Sequence, residues 1–238
     1  MRKLTLLISA IVLFSVSTFG QGASGGSGAA ANGADKNFHF GLNITPGYYF
    51  LSASAPNAAN GGSIGFGFGL NLEFYFSQNY AFCTGLELNS FGANFTNTTQ
   101  YSAFKNVDSI TAHNYKLQYL EIPLQLKFRT LPIGLMKYFG IVGITPGIRV
   151  KATDSYTVTD GLGGAYTGYS ESGVDASNQT SIIRLDYNIG AGVEYNIAGT
   201  TSLQGCLSYQ GGFTNLNSSS GQGSIEAKAI TLTIGVLF

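Results

Sequence analysis

The chain has 238 residues, with 33 Gly, 14 Tyr, 17 Phe and no Trp. Charged residues make up 10% of it and the formal net charge is zero, whereas soluble domains average about 25% charged residues. This composition argues against a water-soluble enzyme, and the lack of clustered basic residues excludes the phosphate contacts on which nucleic-acid binding depends.

Residues 1–20 predict a cleaved secretory signal peptide. Two basic residues precede the apolar stretch Leu4–Phe14 and small residues follow it, and the stretch is shorter than the roughly 20 apolar residues of a spanning helix. We expect cleavage after Gly20, so that the mature protein begins at Gln21; the alternative is a retained N-terminal anchor. Residues 21–37 are rich in Gly, Ala and Ser and predict a flexible segment before the folded domain.

Strict alternation of apolar and small or polar residues identifies the strands. In 64–76, every even residue is large and apolar, and the odd ones are Gly, Asn, Glu or Tyr. This run exceeds the roughly 5 or 6 residues of a typical soluble strand and suits a strand tilted across a bilayer, which needs about 9 to 11. The same pattern predicts strands at 38–50, 64–76, 80–95, 113–129, 137–151, 181–197, 201–213 and 225–238.

These strands predict an all-β fold, a closed eight-stranded antiparallel up-and-down transmembrane β-barrel over residues 38–238. An open sheet in lipid would leave N–H and C=O groups unpaired at its edges, and closure removes the edges. Connectors alternate between long and short, as in outer-membrane barrels with long external loops and short periplasmic turns. We therefore expect a monomer embedded in outer-membrane lipid of a Gram-negative bacterium. Phe238 ends the last apolar strand and resembles the insertion signal that the barrel-assembly machinery reads.

Prolines interrupt two predicted strands, at Pro123 and Pro146. Because proline removes a ladder hydrogen bond, we expect a bulge at each. The unbroken alternation over 120–128 predicts that the lumen face is not flipped there. Cys83 and Cys206 are expected to stay unpaired, because their strands lie on opposite sides of the barrel and a disulfide needs a Cα separation of about 4.4 to 6.8 Å.

The charged residues of the strands lie at the alternate positions whose side chains are predicted to face the lumen. They are Glu73, Glu87, Glu121, Lys127, Arg129, Arg149, Lys151, Arg184, Asp186 and Glu194. Acids and bases balance in this set, and the interior of an eight-stranded barrel is about wide enough for side chains to fill. The pattern predicts a structural ion network. A polar conduction path, as in a small porin, is the alternative.

No residue pattern predicts catalysis or a cofactor. A barrel that acts on lipid A needs an activated nucleophile, and both histidines, His39 and His113, have lumen parity; we expect His113 to be a solvated residue at a loop edge. Two histidines without a cysteine cluster predict no metal site. Glycines 65, 67 and 69 lie within a strand, not in a nucleotide-binding turn.

Aromatic residues gather near both ends of the strands, which predicts the two girdles of a membrane barrel. The predicted girdle residues are Tyr75, Phe76, Tyr80, Phe82, Tyr138, Phe139 and Tyr195 at one end, and Phe50, Phe91, Phe95, Tyr115, Tyr209 and Phe213 at the other.

The connector 152–180 is longer than strand reversal requires, and long loops on rigid scaffolds often bind partners. Its Tyr156, Tyr166 and Tyr169, together with nearby acidic residues, predict a surface for a protein or glycan partner. A solvated lid without a ligand is the alternative.

Three segments, Tyr119–Lys127, Tyr138–Gly140 and Asp186–Tyr195, resemble the PorT-like outer-membrane β-barrels of Bacteroidetes, and the similarity in layout spans 38–238. The resemblance implies an eight-stranded outer-membrane barrel, and the founding member of that family is linked to secretion and gliding. Our leading hypothesis is a noncatalytic protein of envelope structure or surface interaction. A component of export or gliding machinery is the alternative, and a lipid A-modifying enzyme ranks third.

Overall fold

A computed structural model describes residues 37–100, 108–160, 170–217 and 223–238, without the side chains of 98–100, 108–109 and 160. The predicted signal peptide and most of the Gly-rich segment lie outside the described residues. The described strands are β1 (Phe38–Ala53), β2 (Asn57–Ala59), β3 (Gly62–Ser77), β4 (Tyr80–Gln100), β5 (Asp108–Glu121), β6 (Leu124–Arg129), β7 (Met136–Asp160), β8 (Ser170–Asp175), β9 (Ile183–Ala198), β10 (Thr201–Gly212) and β11 (Ile225–Leu237).

Antiparallel ladders join the strands into a closed ring. The order is β1, β3, β4, then β5 and β6 as two halves of one wall, then β7, β9, β10 and β11. β11 pairs back to β1 from Gly41↔Leu237 to Ala53↔Ile225. The eight-stranded antiparallel barrel predicted from the sequence is confirmed. No described helix is long and apolar enough to cross a membrane.

The outer wall is apolar through most of its height. Its exposed side chains include Phe66, Phe68, Leu70, Leu86, Ile122, Leu126, Val142, Ile144, Ile148, Val150, Ile189, Leu207, Ile230, Leu232 and Ile234. We call this surface the apolar band. Buried charged and polar side chains lie in the lumen, together with an apolar cluster that includes Tyr49, Phe91 and Leu117. A polar interior behind an apolar outer wall is the reversed polarity that a bilayer imposes on a barrel.

The short connectors mark one end of the barrel, called here the turn end, and the opposite end is the loop end. At the loop end, β4 continues to Gln100 and β7 continues to Asp160, so the prediction that 152–180 is one loop was wrong. Its first residues alternate Tyr, Val and Thr, which favour strands, and they pair with β5 as far as Ser109↔Asp160. The barrel wall therefore extends beyond the apolar band.

The expected bulges at Pro123 and Pro146 are absent from the ladder. Glu121 pairs with Gly147 and Leu124 with Ile144, so two residues on each strand lie between these pairs. The ladder loses hydrogen bonds there without gaining a residue, and the N–H of Ile122 still donates to the carbonyl of Pro146 (2.9 Å). Because no residue is inserted, the lumen face continues unchanged across the prolines, as the alternation predicted.

A bulge occurs instead at Val150. Tyr119 pairs with Arg149 and Gln118 with Lys151, which leaves Val150 as an extra residue in β7. An inserted residue reverses the alternation beyond it. Arg149 keeps the lumen side, but Lys151 lies exposed on the outer wall. The prediction that Lys151 faces the lumen was wrong for this reason.

Small residues and thiols fit the narrow interior. A Cβ atom at Gly65 would overlap the Tyr49 ring, and one at Gly67 would overlap the Glu87 carboxylate, so these glycines make room for larger lumen residues. Cys83 and Cys206 are both buried and free, which confirms the prediction that they stay unpaired.

Candidate functional site

A first ion network fills the turn-end half of the lumen. Lys127 Nζ donates to both carboxylate oxygens of Glu73 (2.8 and 2.9 Å) and also contacts a carboxylate oxygen of Glu194. Arg129 Nη1 lies 3.5 Å from the other oxygen of Glu194. The Tyr75 hydroxyl donates to Glu73 (2.7 Å). All four charged residues are at most 5% exposed, so their charges are compensated almost entirely by one another.

A second ion network lies toward the loop end. Arg184 Nη1 is 3.3 Å from Glu121 Oε1, and Arg184 Nη2 is 2.6 Å from Asp186 Oδ2. Asn89 donates to the second oxygen of Glu121 (3.5 Å) and accepts a hydrogen bond from the Tyr49 hydroxyl (2.9 Å). The guanidinium of Arg184 thus forms ion pairs with two buried carboxylates.

Three of the ten charged residues that the sequence assigned to one network lie apart from both. Glu87 faces the lumen beside Thr45 and Asn43, and it forms no ion pair within the described part of the chain. Arg149 donates to the hydroxyl of Thr180 (2.6 Å) and to its carbonyl. Lys151 is on the outer wall. Of the ten predicted residues, seven thus form two separate networks, and Glu87 and Arg149 face the lumen outside them.

Aromatic side chains inside the lumen cover the cations. Lys127 lies 4.3 Å from the ring centre of Phe139, Arg129 lies 4.3 Å from that of Tyr75, and Arg184 lies 4.7 Å from that of Phe91. These cation–π contacts were missed by the sequence reasoning, which placed Tyr75, Phe91, Phe95, Tyr115 and Phe139 in the lipid-facing girdles. All five are buried. The alternation of faces along each strand could have identified them: Tyr75, for example, lies two residues after Glu73 and therefore on the same lumen-facing side of β3.

The networks leave little free space. A cavity of about 60 Å³ remains near mid-height, lined by Glu87, Asn188, Gln204 and other polar residues. Such a volume accommodates a few water molecules but not a solute. The lumen is therefore filled by its own side chains.

A larger cavity, of about 290 Å³, opens at the loop end. Three of its lining rings stack on one another: Phe95 and His113 with centres 5.0 Å apart, Phe95 and Tyr115 at 5.3 Å, and His113 and Tyr115 at 5.7 Å. The strands that extend past the apolar band supply this stack, because Phe95 pairs with His113 across β4 and β5. We call this space the loop-end cavity.

Polar groups surround the stack. His113 Nδ1 lies 2.7 Å from Asp154 Oδ2, and the His113 side chain is 19% exposed, so His113 lines the cavity and is partly open to solvent, with Asp154 as its partner. The Tyr115 hydroxyl donates to Gln179 (2.8 Å). Burial raises the pKa of this phenol above its ordinary value.

The predicted loop tyrosines are only partly described. Tyr156 lies beside the stack, with its ring centre 6.1 Å from that of His113, and its hydroxyl donates to Glu171 (2.8 Å). Tyr166 and Tyr169 lie outside the described residues. Tyr156 therefore joins the rim of the loop-end cavity.

The remaining predicted features lie at the turn end. His39 is buried beside Tyr75, with ring centres 5.1 Å apart. Phe238 packs against Phe40 (5.4 Å between ring centres), and its N–H donates to the Phe40 carbonyl (2.8 Å). Within the described ranges, no group of three or more His, Cys, Asp or Glu residues could hold a metal ion.

Residues 19–218 match the family model described as an outer membrane protein beta-barrel domain. The chain belongs to this family. The match covers most of the sequence and agrees with the apolar band and the polar lumen, so the protein is an outer-membrane β-barrel.

Solved structures with a similar layout include three outer-membrane proteins. Neisserial surface protein A is 12% identical, with a TM-score of 0.43 over 84% of this chain and 96% of that one. OprG from Pseudomonas aeruginosa is 13% identical, with a TM-score of 0.39 over 83% and 95%. Ail, the attachment invasion locus protein of Yersinia pestis, is 13% identical, with a TM-score of 0.31 over 83% and 98%. A comparison with curated protein sequences finds no match.

Proposed function

We propose that this barrel is a noncatalytic outer-membrane protein that binds a sugar-containing surface partner in its loop-end cavity. The observation that carries the proposal is the contrast between the two compartments of the barrel. At membrane height, the charges of the two ion networks are paired and buried, and the cavity left beside them is too small for a solute. The aromatic stack beyond the apolar band lines open space.

The lining of the loop-end cavity suits a sugar ring. Aromatic faces pack against the apolar C–H face of a sugar, while nearby amides and hydroxyls bond its hydroxyl groups. Phe95 and Tyr115 offer ring faces, and Gln179, Thr180 and Asn217 offer the polar groups. The carboxylate of Glu171, which accepts a hydrogen bond from Tyr156 beside the stack, adds an acceptor for sugar hydroxyls.

The geometry of His113 supports binding over catalysis. A carboxylate that holds one ring nitrogen is also found in hydrolases, where the other nitrogen activates a nucleophile. Among the described side chains, however, no hydroxyl or thiol is hydrogen-bonded to His113, and both cysteines are buried far down the lumen wall on β4 and β10. His113 therefore serves to position the stack.

The test is binding of the detergent-solubilised full chain to immobilised neutral oligosaccharides. Phe95→Ala and His113→Ala should each weaken binding about tenfold, in line with the free energy of one lost aromatic contact of this kind. Thr96→Ala is the matched control, because Thr96 follows Phe95 on β4, faces the outer wall and lines neither the loop-end cavity nor any other described site. Equal binding by all four proteins, or none by the unaltered chain, would contradict the proposal.

A second variant separates the cavity from the tip of the β7–β8 hairpin. Thr157 pairs with Ser170, so a short Gly/Ser turn in place of 161–169 removes Tyr166 and Tyr169 and keeps the hairpin. Retained sugar binding would assign recognition to the cavity, and lost binding would assign it to the tip. Release of acyl chains from added lipid A by the full chain, abolished by His113→Asn, would contradict the noncatalytic assignment.

The second candidate is a part in protein export, which the resemblance of Tyr119–Lys127 to PorT-like barrels supports. A secretion defect in cells lacking the protein that is rescued by the Phe95→Ala variant would favour export over sugar binding. Failure of that variant to rescue would tie any secretion role to the loop-end cavity.

A further inference from the structure

Two lysines lie together on the outer wall, just beyond the apolar band. Lys116 on β5 and Lys151 on β7 are both exposed, and both line one groove of about 530 Å³. The other polar residues of this groove include Ser90, Asn94, Asn114, Gln118 and Thr153. We call this surface the outer-wall basic groove.

The strand register fixes the height of the groove. Leu120 pairs with Ile148 at the edge of the apolar band, the next outer-wall pair is Gln118↔Lys151, and the one after it is Lys116↔Thr153. The two lysines are diagonal neighbours on one face, a relation that separates Cα atoms by about 7 to 8 Å. Lys151 therefore lies one outer-wall residue pair beyond the apolar band, and Lys116 lies two pairs beyond it.

The bulge at Val150 creates this arrangement. Without the extra residue, Lys151 would keep lumen parity, as the sequence pattern predicted. With it, Val150 ends the apolar band at 58% exposure, and the adjacent Lys151 also faces outward. Bulges commonly re-aim one side chain at a functional surface.

The charge of the groove is uncompensated by the described side chains. Neither ammonium group forms an ion pair with a carboxylate of the described residues. Asp175 is an acidic residue near the groove, since it pairs with Thr153 on the other side of β7. Its carboxylate accepts a hydrogen bond from the Ser177 N–H (2.9 Å) and forms no ion pair with either lysine.

Neutral groups complete the lining. Gln118 donates to the Ser90 hydroxyl (3.1 Å). The side-chain oxygen of Asn94 is shielded from solvent and has no hydrogen-bond partner. The groove thus combines two cations with neutral polar side chains.

We propose that the outer-wall basic groove binds the phosphate of a phosphorylated glycolipid in the adjacent leaflet. The acyl chains of such a lipid would lie along the apolar band, and its headgroup phosphate would reach the height of Lys116 and Lys151. Ammonium groups bind phosphate as point charges, and the nearby hydrocarbon strengthens that attraction because it lowers the local dielectric constant.

The experiment compares retention of bisphosphorylated lipid A by the full chain in detergent, measured by native mass spectrometry. Each lysine near an anionic lipid surface is worth about a fivefold change in affinity, so Lys116→Gln/Lys151→Gln should weaken retention about 25-fold. Lys228→Gln is the matched control. Lys228 lies on β11, on another side of the barrel, one outer-wall residue pair beyond the apolar Ile230. Its height relative to the apolar band is therefore similar to that of Lys151, but the next outer-wall residue of its strand is the acidic Glu226.

Three outcomes would overturn the proposal: equal retention by the double variant and the unaltered chain, an equal loss in Lys228→Gln, or equal retention of dephosphorylated lipid A. Displacement of lipid A by the same concentration of inorganic phosphate would also overturn it, since a free-anion site would then explain the binding. Heat-modifiable gel mobility verifies that each variant is folded.

Discussion

Replacing Arg184 with Gln is expected to destabilise the barrel by about 3 to 5 kcal/mol, the usual cost of removing one partner from a buried ion pair. Arg184 is 1% exposed and bridges Glu121 and Asp186. The substitution leaves both carboxylates in the lumen without their cation. Urea unfolding in phospholipid vesicles, followed by heat-modifiable mobility and far-ultraviolet circular dichroism, measures the change.

Arg149→Gln is the matched comparison. Arg149 also faces the lumen, but it is half-buried and its observed partner is the neutral Thr180. Its loss should cost about 1 kcal/mol, as for an ordinary hydrogen bond. Equal destabilisation by the two variants would contradict the view that paired carboxylates, rather than any lumen arginine, determine stability.

Lys127→Met is expected to have a comparably large effect. Lys127 is 1% exposed and forms ion pairs with both Glu73 and Glu194. Its removal leaves Glu73 without a cation and Glu194 with only the longer contact to Arg129, which should cost about 3 to 5 kcal/mol. Adding Glu73→Gln should restore part of the loss, because it removes one of the uncompensated charges. The unfolding midpoints of the single and double variants provide the measurement.

The control for Lys127→Met is Lys228→Met, which removes an outer-wall lysine and should change stability little. Simple additivity of Lys127→Met and Glu73→Gln in a double-mutant cycle would show that the two residues do not interact and would contradict the turn-end network.

The sequence predicts the barrel wall well because alternation and solvation act together at every position. Lipid requires apolar side chains on the outer wall, so the period of two in 64–76 fixes both the strand and its face. The same logic continues correctly across Pro123, where the ladder breaks without inserting a residue. It fails at Val150, where one extra residue reverses the alternation. A bulge depends on pairing with the neighbouring strand, and alternation within one strand does not specify that pairing.

The sites are less predictable than the wall for the same reason. Parity places Glu73 and Lys127 in the lumen, but their pairing depends on register across strands far apart in sequence. Phe95, His113 and Tyr115 all lie in the predicted strands, but Phe95 and Tyr115 were assigned to a lipid-facing girdle, so their stack in the lumen was missed. The segment 96–112 was predicted to be a loop because it is polar, whereas β4 continues to Gln100 and β5 begins at Asp108. Composition distinguishes membrane from water, but it does not locate the end of a paired strand in water.

The most direct test of the account is a planar-bilayer recording of the purified full chain. Two ion networks and the aromatic rings beside them occupy the lumen, and the proposed binding sites lie at the loop end and on the outer wall. We therefore expect no stable channels of nanosiemens conductance. Sustained openings of that size, with the barrel folded by gel mobility, would contradict a filled lumen and support a porin.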